Sequence, residues 1–140
     1  MKRQDFTRYL VLHEQLDKAR NCLLDLQEAA VPGAQVLTGM PHAPGVKDKV
    51  GNLAIEIADT KASIRDMEEE MEALRAEISA FIEEIPYPEL KMIFRLRFLR
   101  WLSWDDIAEV FRWRYHETTL RKKVHRYIKR NCSSDDTHVP

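Results

Sequence analysis

Glycine is scarce in this chain of 140 residues, four in all, and none belongs to a glycine-rich loop able to cradle phosphates. Cysteine occurs only at Cys22 and Cys132, with no redox or metal-ligand spacing; two thiols so far apart fit a reducing compartment. His116, His125, Cys132 and His138 follow one another at separations of 9, 7 and 6, unlike a structural zinc finger. His13-Glu14 lacks the second histidine of a zinc-protease helix, and His42, between Pro41 and Ala43, reads as a loop residue. No run approaches the roughly 18–20 apolar residues that would span a bilayer. The opening, Met1-Lys2-Arg3-Gln4-Asp5, leads into a stretch broken by charge every few residues, so no signal-peptide core is expected. These absences point away from an enzyme and from any metal, cofactor or membrane partner, and lead us to expect a soluble, cytoplasmic protein.

Charge is present but unevenly placed. The whole chain carries a formal net charge of −1, yet residues 47–90 sum to −7 and residues 91–130 to +8, while 1–46 balance and 131–140 add −2. A cationic block beside an acidic one suggests a surface for a polyanion and another for protein contacts.

The prolines at 32, 41, 44, 86 and 88 divide the chain into three helical blocks. In the first, Tyr9, Leu12, Leu16, Ala19, Leu23, Leu26 and Ala30 step alternately by three and four. The second continues the pattern through Val46, Val50, Leu53, Ile57, Thr60, Ile64, Met67, Met71, Leu74, Ile78, Phe81 and Ile85. A sustained 3.5-residue period lays one narrow apolar stripe against a partner helix. The expected architecture is all-α. A coiled-coil region, 1–85, holds helices at about 4–30 and 46–85 and a connector, 31–45, able to fold the first helix back on the second as a hairpin. The second helix outruns the first, so the stripe from Met71 to Ile85 needs a further partner, either a second copy of the chain or the third block.

Pro86-Tyr87-Pro88 ends the long helix, and Pro88 suits the first turn of the next. Region 86–130 reads as three helices: about Glu89 to Trp101, Trp104 to Phe111 with Ser103 as its N-cap, and Glu117 to Arg130. The last two, joined by a short turn and braced by the first, form the pattern of a helix-turn-helix, with Ala108 small where the helices cross. Leu120, Val124, Tyr127 and Ile128 take the inner side of the last helix. Thr118, Thr119, Arg121, Lys122, Lys123, His125, Arg126 and Lys129 are left outside, as the candidate DNA-binding set. Hydroxyls and cations at such positions bond phosphates and base edges. Trp101 and Trp104 read as packing residues, and Trp113 stays open. The tail, 131–140, is polar and expected to be disordered.

The string Phe94-Arg95-Leu96-Arg97-Phe98-Leu99-Arg100-Trp101-Leu102-Ser103-Trp104-Asp105-Asp106-Ile107-Ala108-Glu109-Val110-Phe111 resembles the helix-turn-helix of the sigma-factor C-terminal region, and Thr119 to Arg126 resembles its recognition helix. The whole chain, including Gly39-Met40-Pro41 and Val46 to Asn52, is similar to small phage and prophage proteins of Gram-positive bacteria that join a coiled coil to such a unit. The resemblance implies a phage late-gene transcription regulator. It also differs from the pattern: Arg112 stands where the turn usually carries glycine, the turn is about two residues longer, and Trp101 replaces a small residue. No segment resembles the promoter-melting region, so a complete sigma factor is excluded.

The expected function is sequence-specific binding of double-stranded DNA in transcriptional control, with a homodimer formed through the coiled coil and host RNA polymerase as a further partner. Two alternatives stand beside it: a DNA-packaging protein of the small-terminase kind, built as a ring, and a coiled-coil adaptor whose basic block is incidental.

Overall fold

The computed structural model describes residues 1–31 and 46–133, the side chains from Gly51 onward in the second stretch. Among them every regular element is a helix: α1 (Arg3–Ala29), α2 (Val46–Glu83), α3 (Pro88–Phe94), α4 (Trp104–Val110) and α5 (Glu117–Asn131), with a π-helical turn at Arg95–Leu99 continuing α3. The protein is all-α. Of the expected connector all but Val31 lies outside the described residues, as does 134–140 of the expected tail. Two compact units divide the chain: Val11–Met71, and Met1–Leu10 together with everything from Glu72 onward.

In the Val11–Met71 unit the apolar stripe is where burial occurs. Leu12, Leu16 and Ile64 are buried, and Ala19, Leu23, Leu26, Leu53, Ile57, Thr60, Met67 and Met71 are half-buried. Off the stripe, Leu24 and Ile55 stand 58% and 60% exposed. An ion pair between Arg20 and Glu68, 3.2 Å, links the two helices at the margin of the stripe.

The second unit has an aromatic centre built from three parts of the chain. The Phe6 ring meets Phe81 at 5.3 Å and Phe98 at 5.1 Å, both edge-on, and Tyr127 meets Phe81 at 5.8 Å and Phe94 at 5.6 Å. Edge-to-face pairs at these distances add to the burial of large apolar area. Phe6 lies opposite Phe81 while Tyr9 lies beside Arg75, so the first turns of α1 run antiparallel to the last turns of α2. Packing therefore crosses the Pro86–Pro88 hinge, where the sequence suggested a domain edge. The reason is the stripe itself. Beyond Met71 it still carries Ile78, Phe81 and Ile85, joined by Ile82, and Phe6, Phe94 and Tyr127 cover that surface within one chain. Across the hinge, Glu83 accepts from both Arg95 and Lys91, whose cations hold its carboxyl below the usual carboxylate range.

The helix expected over Glu89 to Trp101 is interrupted. It is α-helical only to Phe94, then widens: the Arg100 N–H bonds back to the Arg95 carbonyl at 3.1 Å and the Leu102 N–H to the Leu96 carbonyl at 3.0 Å. Widening frees carbonyls, and side chains satisfy them. The Tyr9 hydroxyl donates to the Phe98 carbonyl at 2.7 Å and Arg97 Nη1 to the Leu102 carbonyl at 3.1 Å. Burial, opposed by Arg75, pushes the Tyr9 phenol up. Trp101 takes a left-handed backbone, φ 59°, which stacks its ring on Tyr9 at 4.8 Å.

Ser103 caps α4, its hydroxyl accepting from the Asp106 N–H at 3.1 Å, as its spacing predicts. The other end is unusual. The Trp113 N–H reaches back to the Ala108 carbonyl at 2.9 Å and the Arg112 N–H to the Glu109 carbonyl at 2.9 Å. This is the paired closure in which the residue after the cap turns left-handed and is normally glycine. Here that residue is Arg112, φ 52°. Arg112→Gly should therefore stabilise the protein by about 0.5–1 kcal/mol, roughly 1–2 of relieved strain less 0.4–1 of added unfolded-state entropy. Thermal denaturation of the variant checks this; a lower midpoint would contradict it.

The N-terminal residues meet the end of α5. Lys2 and Ser133 form a parallel bridge, with the Arg3 N–H donating to the Ser133 carbonyl at 3.3 Å and the Ser133 N–H to the Met1 carbonyl at 3.2 Å. Arg3 Nη2 donates to the Lys129 carbonyl at 2.9 Å, placing a cation at the negative end of the α5 dipole. The first three residues of the expected tail are thus held in place. Asn131 closes α5, Cys132 is buried, and Ser133 is paired, because the N-terminal residues supply the partners that a polar tail lacks on its own.

Candidate nucleic-acid interface

α5 has one buried stripe. Leu120, Val124 and Ile128 are 0%, 1% and 9% exposed, and α3 and α4 both pack against the helix. Ala108 is fully buried on α4, as a close crossing requires. With about 100° of rotation per residue, Lys122, Arg126 and Lys129 project opposite that stripe. Thr118, Thr119 and His125 fill the rest of the outer face, with Arg121 on one flank. All seven are exposed.

Lys123, the eighth member of the expected set, is placed differently. It is half-buried, its ammonium 4.0 Å from the centroid of the Tyr115 ring. Its spacing on α5 puts it at the edge of the buried stripe, where the turn residue Tyr115 supplies an aromatic face. It belongs to the bracing of the turn more than to the outer face. A shallow groove of about 420 Å³ opens on this flank, lined by Tyr87, Tyr115 and Tyr127 with Lys123, Arg126 and Arg130.

The start of α5 is held by His116, whose Nδ1 accepts from the Thr118 N–H at 3.3 Å and lies 3.0 Å from Thr118 Oγ1. The Thr118 hydroxyl is thus already engaged, whereas Thr119 is exposed with its side chain off the stripe. On the other flank Arg97 lies over the Trp104 ring at 4.8 Å, and burial together with the Arg121 guanidinium pushes its pKa down. Trp101 and Trp104 are packing residues, while Trp113 is 58% exposed.

What marks this face is that several cations without a carboxylate partner gather on one helix. Lys18, Arg20, Lys91 and Arg95 each have a carboxylate within 4.0 Å. Among the described residues no carboxylate lies within that distance of Arg121, Lys122, Lys123, Arg126, Lys129 or Arg130. Also among the described residues, no group of three His, Cys, Asp or Glu side chains could hold a metal, and no helix is long and apolar enough to cross a membrane.

Sequence reasoning missed two features: the Arg3 and Ser133 clasp, and the π-helical turn that carries Arg97. The first joins residues far apart in the chain, with no local signal. The turn at Arg112-Trp113 had a signal, since an arginine stands where such a turn usually carries glycine, and the sequence alone leaves Trp113 open. No protein-family model, curated protein or solved structure matches the chain.

Proposed function

We propose that this protein binds double-stranded DNA through α5, with α4, the turn and α5 acting as a helix-turn-helix, and that it serves as a sequence-specific transcriptional regulator. One observation carries the reading: Lys122, Arg126 and Lys129 share an exposed helix face with no carboxylate of the described residues to neutralise them. A rigid helix presenting unpaired cations beside exposed Thr119 and His125 suits the major groove, which admits an α-helix about its own diameter. Phosphate contacts would position it and the few side chains at base edges would specify the sequence. The regulatory role rests on the resemblance to phage late-gene regulators, as does RNA polymerase as a further partner.

The homodimer is retained in this proposal as a partnership through the N-terminal helices, although the stripe beyond Met71 is covered within the chain and makes no demand for a second copy. The salt dependence of binding tests function and stoichiometry together. If each copy neutralises about four or five phosphates, log K falls against log salt with a slope near −4 for one copy and near −8 for two. Fluorescence anisotropy on a labelled duplex between 50 and 300 mM salt (roughly the range over which such contacts weaken) reads the slope directly. A slope near zero would remove DNA as the ligand, and a ring of eight or more subunits in light scattering would favour the packaging alternative.

A further inference from the structure

The turn between α4 and α5 holds two successive left-handed residues that are not glycine, Arg112 at φ 52° and Trp113 at φ 57°. Such backbone is costly for any residue with a Cβ and is kept where the surroundings impose it, commonly at binding sites. The surroundings here cover less than half of the tryptophan. It is 58% exposed, whereas Trp101 stacks on Tyr9 and Trp104 lies under Arg97. Arg114, on its other side, is folded back, with Nε donating to the Phe111 carbonyl at 3.3 Å and its guanidinium 5.9 Å from the Phe111 ring centroid. Arg112 stays exposed, with no carboxylate of the described residues within ion-pair distance.

Trp113 precedes the α5 cap, His116, by three residues. When the second helix of such a motif enters the major groove, its N-terminal residues contact base edges, so the residues just ahead of it lie at the rim of the groove. We infer that Trp113 is a second element of the DNA-binding surface: its indole packs on the sugar and base edge of the duplex at that rim, with Arg112 neutralising the adjacent phosphate. This rests on the reading of α5 given above. It assigns a role to an aromatic side chain that the cation pattern alone would leave out. The closure of α4 sets the left-handed backbone at Arg112, and Trp113 follows it, also left-handed, with most of its surface in solvent.

Trp113→Gly separates the two effects. It keeps the left-handed turn without a Cβ, so the thermal midpoint should hold or rise. Affinity for a fluorescein-labelled 30-base-pair duplex of mixed sequence (a probe spanning about three helical turns) should fall about tenfold or more at 100 mM salt, in line with the worth of a single aromatic contact. Trp113→Phe, which retains a flat ring, should stay within about threefold of the parent. The parent's indole emission should shift on adding duplex, and that shift should be missing from Trp113→Phe. A Trp113→Gly variant that binds within twofold of the parent overturns the inference alone and leaves α5 binding standing; it would also be the result if the indole served a protein partner. A parent chain that does not bind the duplex overturns both.

Discussion

Replacing Phe6 with alanine is expected to destabilise the basic unit by about 3–5 kcal/mol, the usual cost of emptying a buried phenylalanine site. Phe6 is in α1, far upstream of α5 in sequence, yet it is 3% exposed and its ring edges meet Phe81, Phe94 and Phe98. Those three rings come from α2, α3 and the π-helical turn, and Phe94 in turn meets Tyr127 of α5. A cavity at Phe6 therefore loosens α2, α3 and the π-helical turn at once, and α3 packs directly against α5. Against a total stability of about 5–15 kcal/mol such a loss is a large fraction, and it corresponds to a thermal midpoint lowered by about 10 °C or more. Leu24→Ala and Ile55→Ala, at exposed positions off the stripe, should stay within about 0.5 kcal/mol of the parent. The same logic makes a fragment beginning at Pro86 a poor folder, since it lacks Phe6, Tyr9, Ile78, Phe81, Ile82 and Ile85. A cooperative unfolding transition in that fragment would show that the packing across the hinge contributes little.

The second large effect concerns binding rather than folding. Lys122, Arg126 and Lys129 have exposed side chains opposite the buried stripe, so replacing all three with alanine should leave the fold intact. Each phosphate neutralised contributes about 0.9 to log K at 0.1 M salt through released counterions, so three lost contacts amount to roughly 500-fold in affinity. The salt slope should become shallower by about three. Removing the same net charge at Lys18, Lys61 and Arg65, none of them on α5, should change affinity by less than about threefold, because on this reading the phosphate contacts are made by α5. Equal losses from both triples would reduce the interface to a diffuse effect of net charge, and an unchanged slope in the α5 triple would assign the phosphate contacts elsewhere.

How much of this was legible beforehand varies with the physical origin of each feature. Helix extents came within a few residues, because a 3.5-residue period, two prolines flanking Tyr87 and a serine cap at Ser103 are local signals whose energetics do not depend on distant residues. The outer face of α5 was legible for the same reason: once Leu120, Val124 and Ile128 are inside, helical geometry settles where Lys122, Arg126 and Lys129 point. Lys123 was misplaced by that rule because its partner is the Tyr115 ring, a turn residue that no helical period reaches.

What the sequence determined by itself is the inventory: helices only, an apolar stripe along two of them, and a cationic outer face on the last. Each follows from spacing along a single helix, where neighbours in space are also neighbours in the chain. The tertiary structure decided which surfaces are shared. It put Phe6 against the far end of α2, bent the third helix into a π-turn whose freed carbonyl is taken by Tyr9, and tied the end of α5 to Met1 and Arg3. Those contacts join residues some seventy to one hundred and thirty positions apart. Their partners are chosen by which apolar faces and unsatisfied backbone groups remain once all helices have formed, and that choice leaves no periodic trace in the chain.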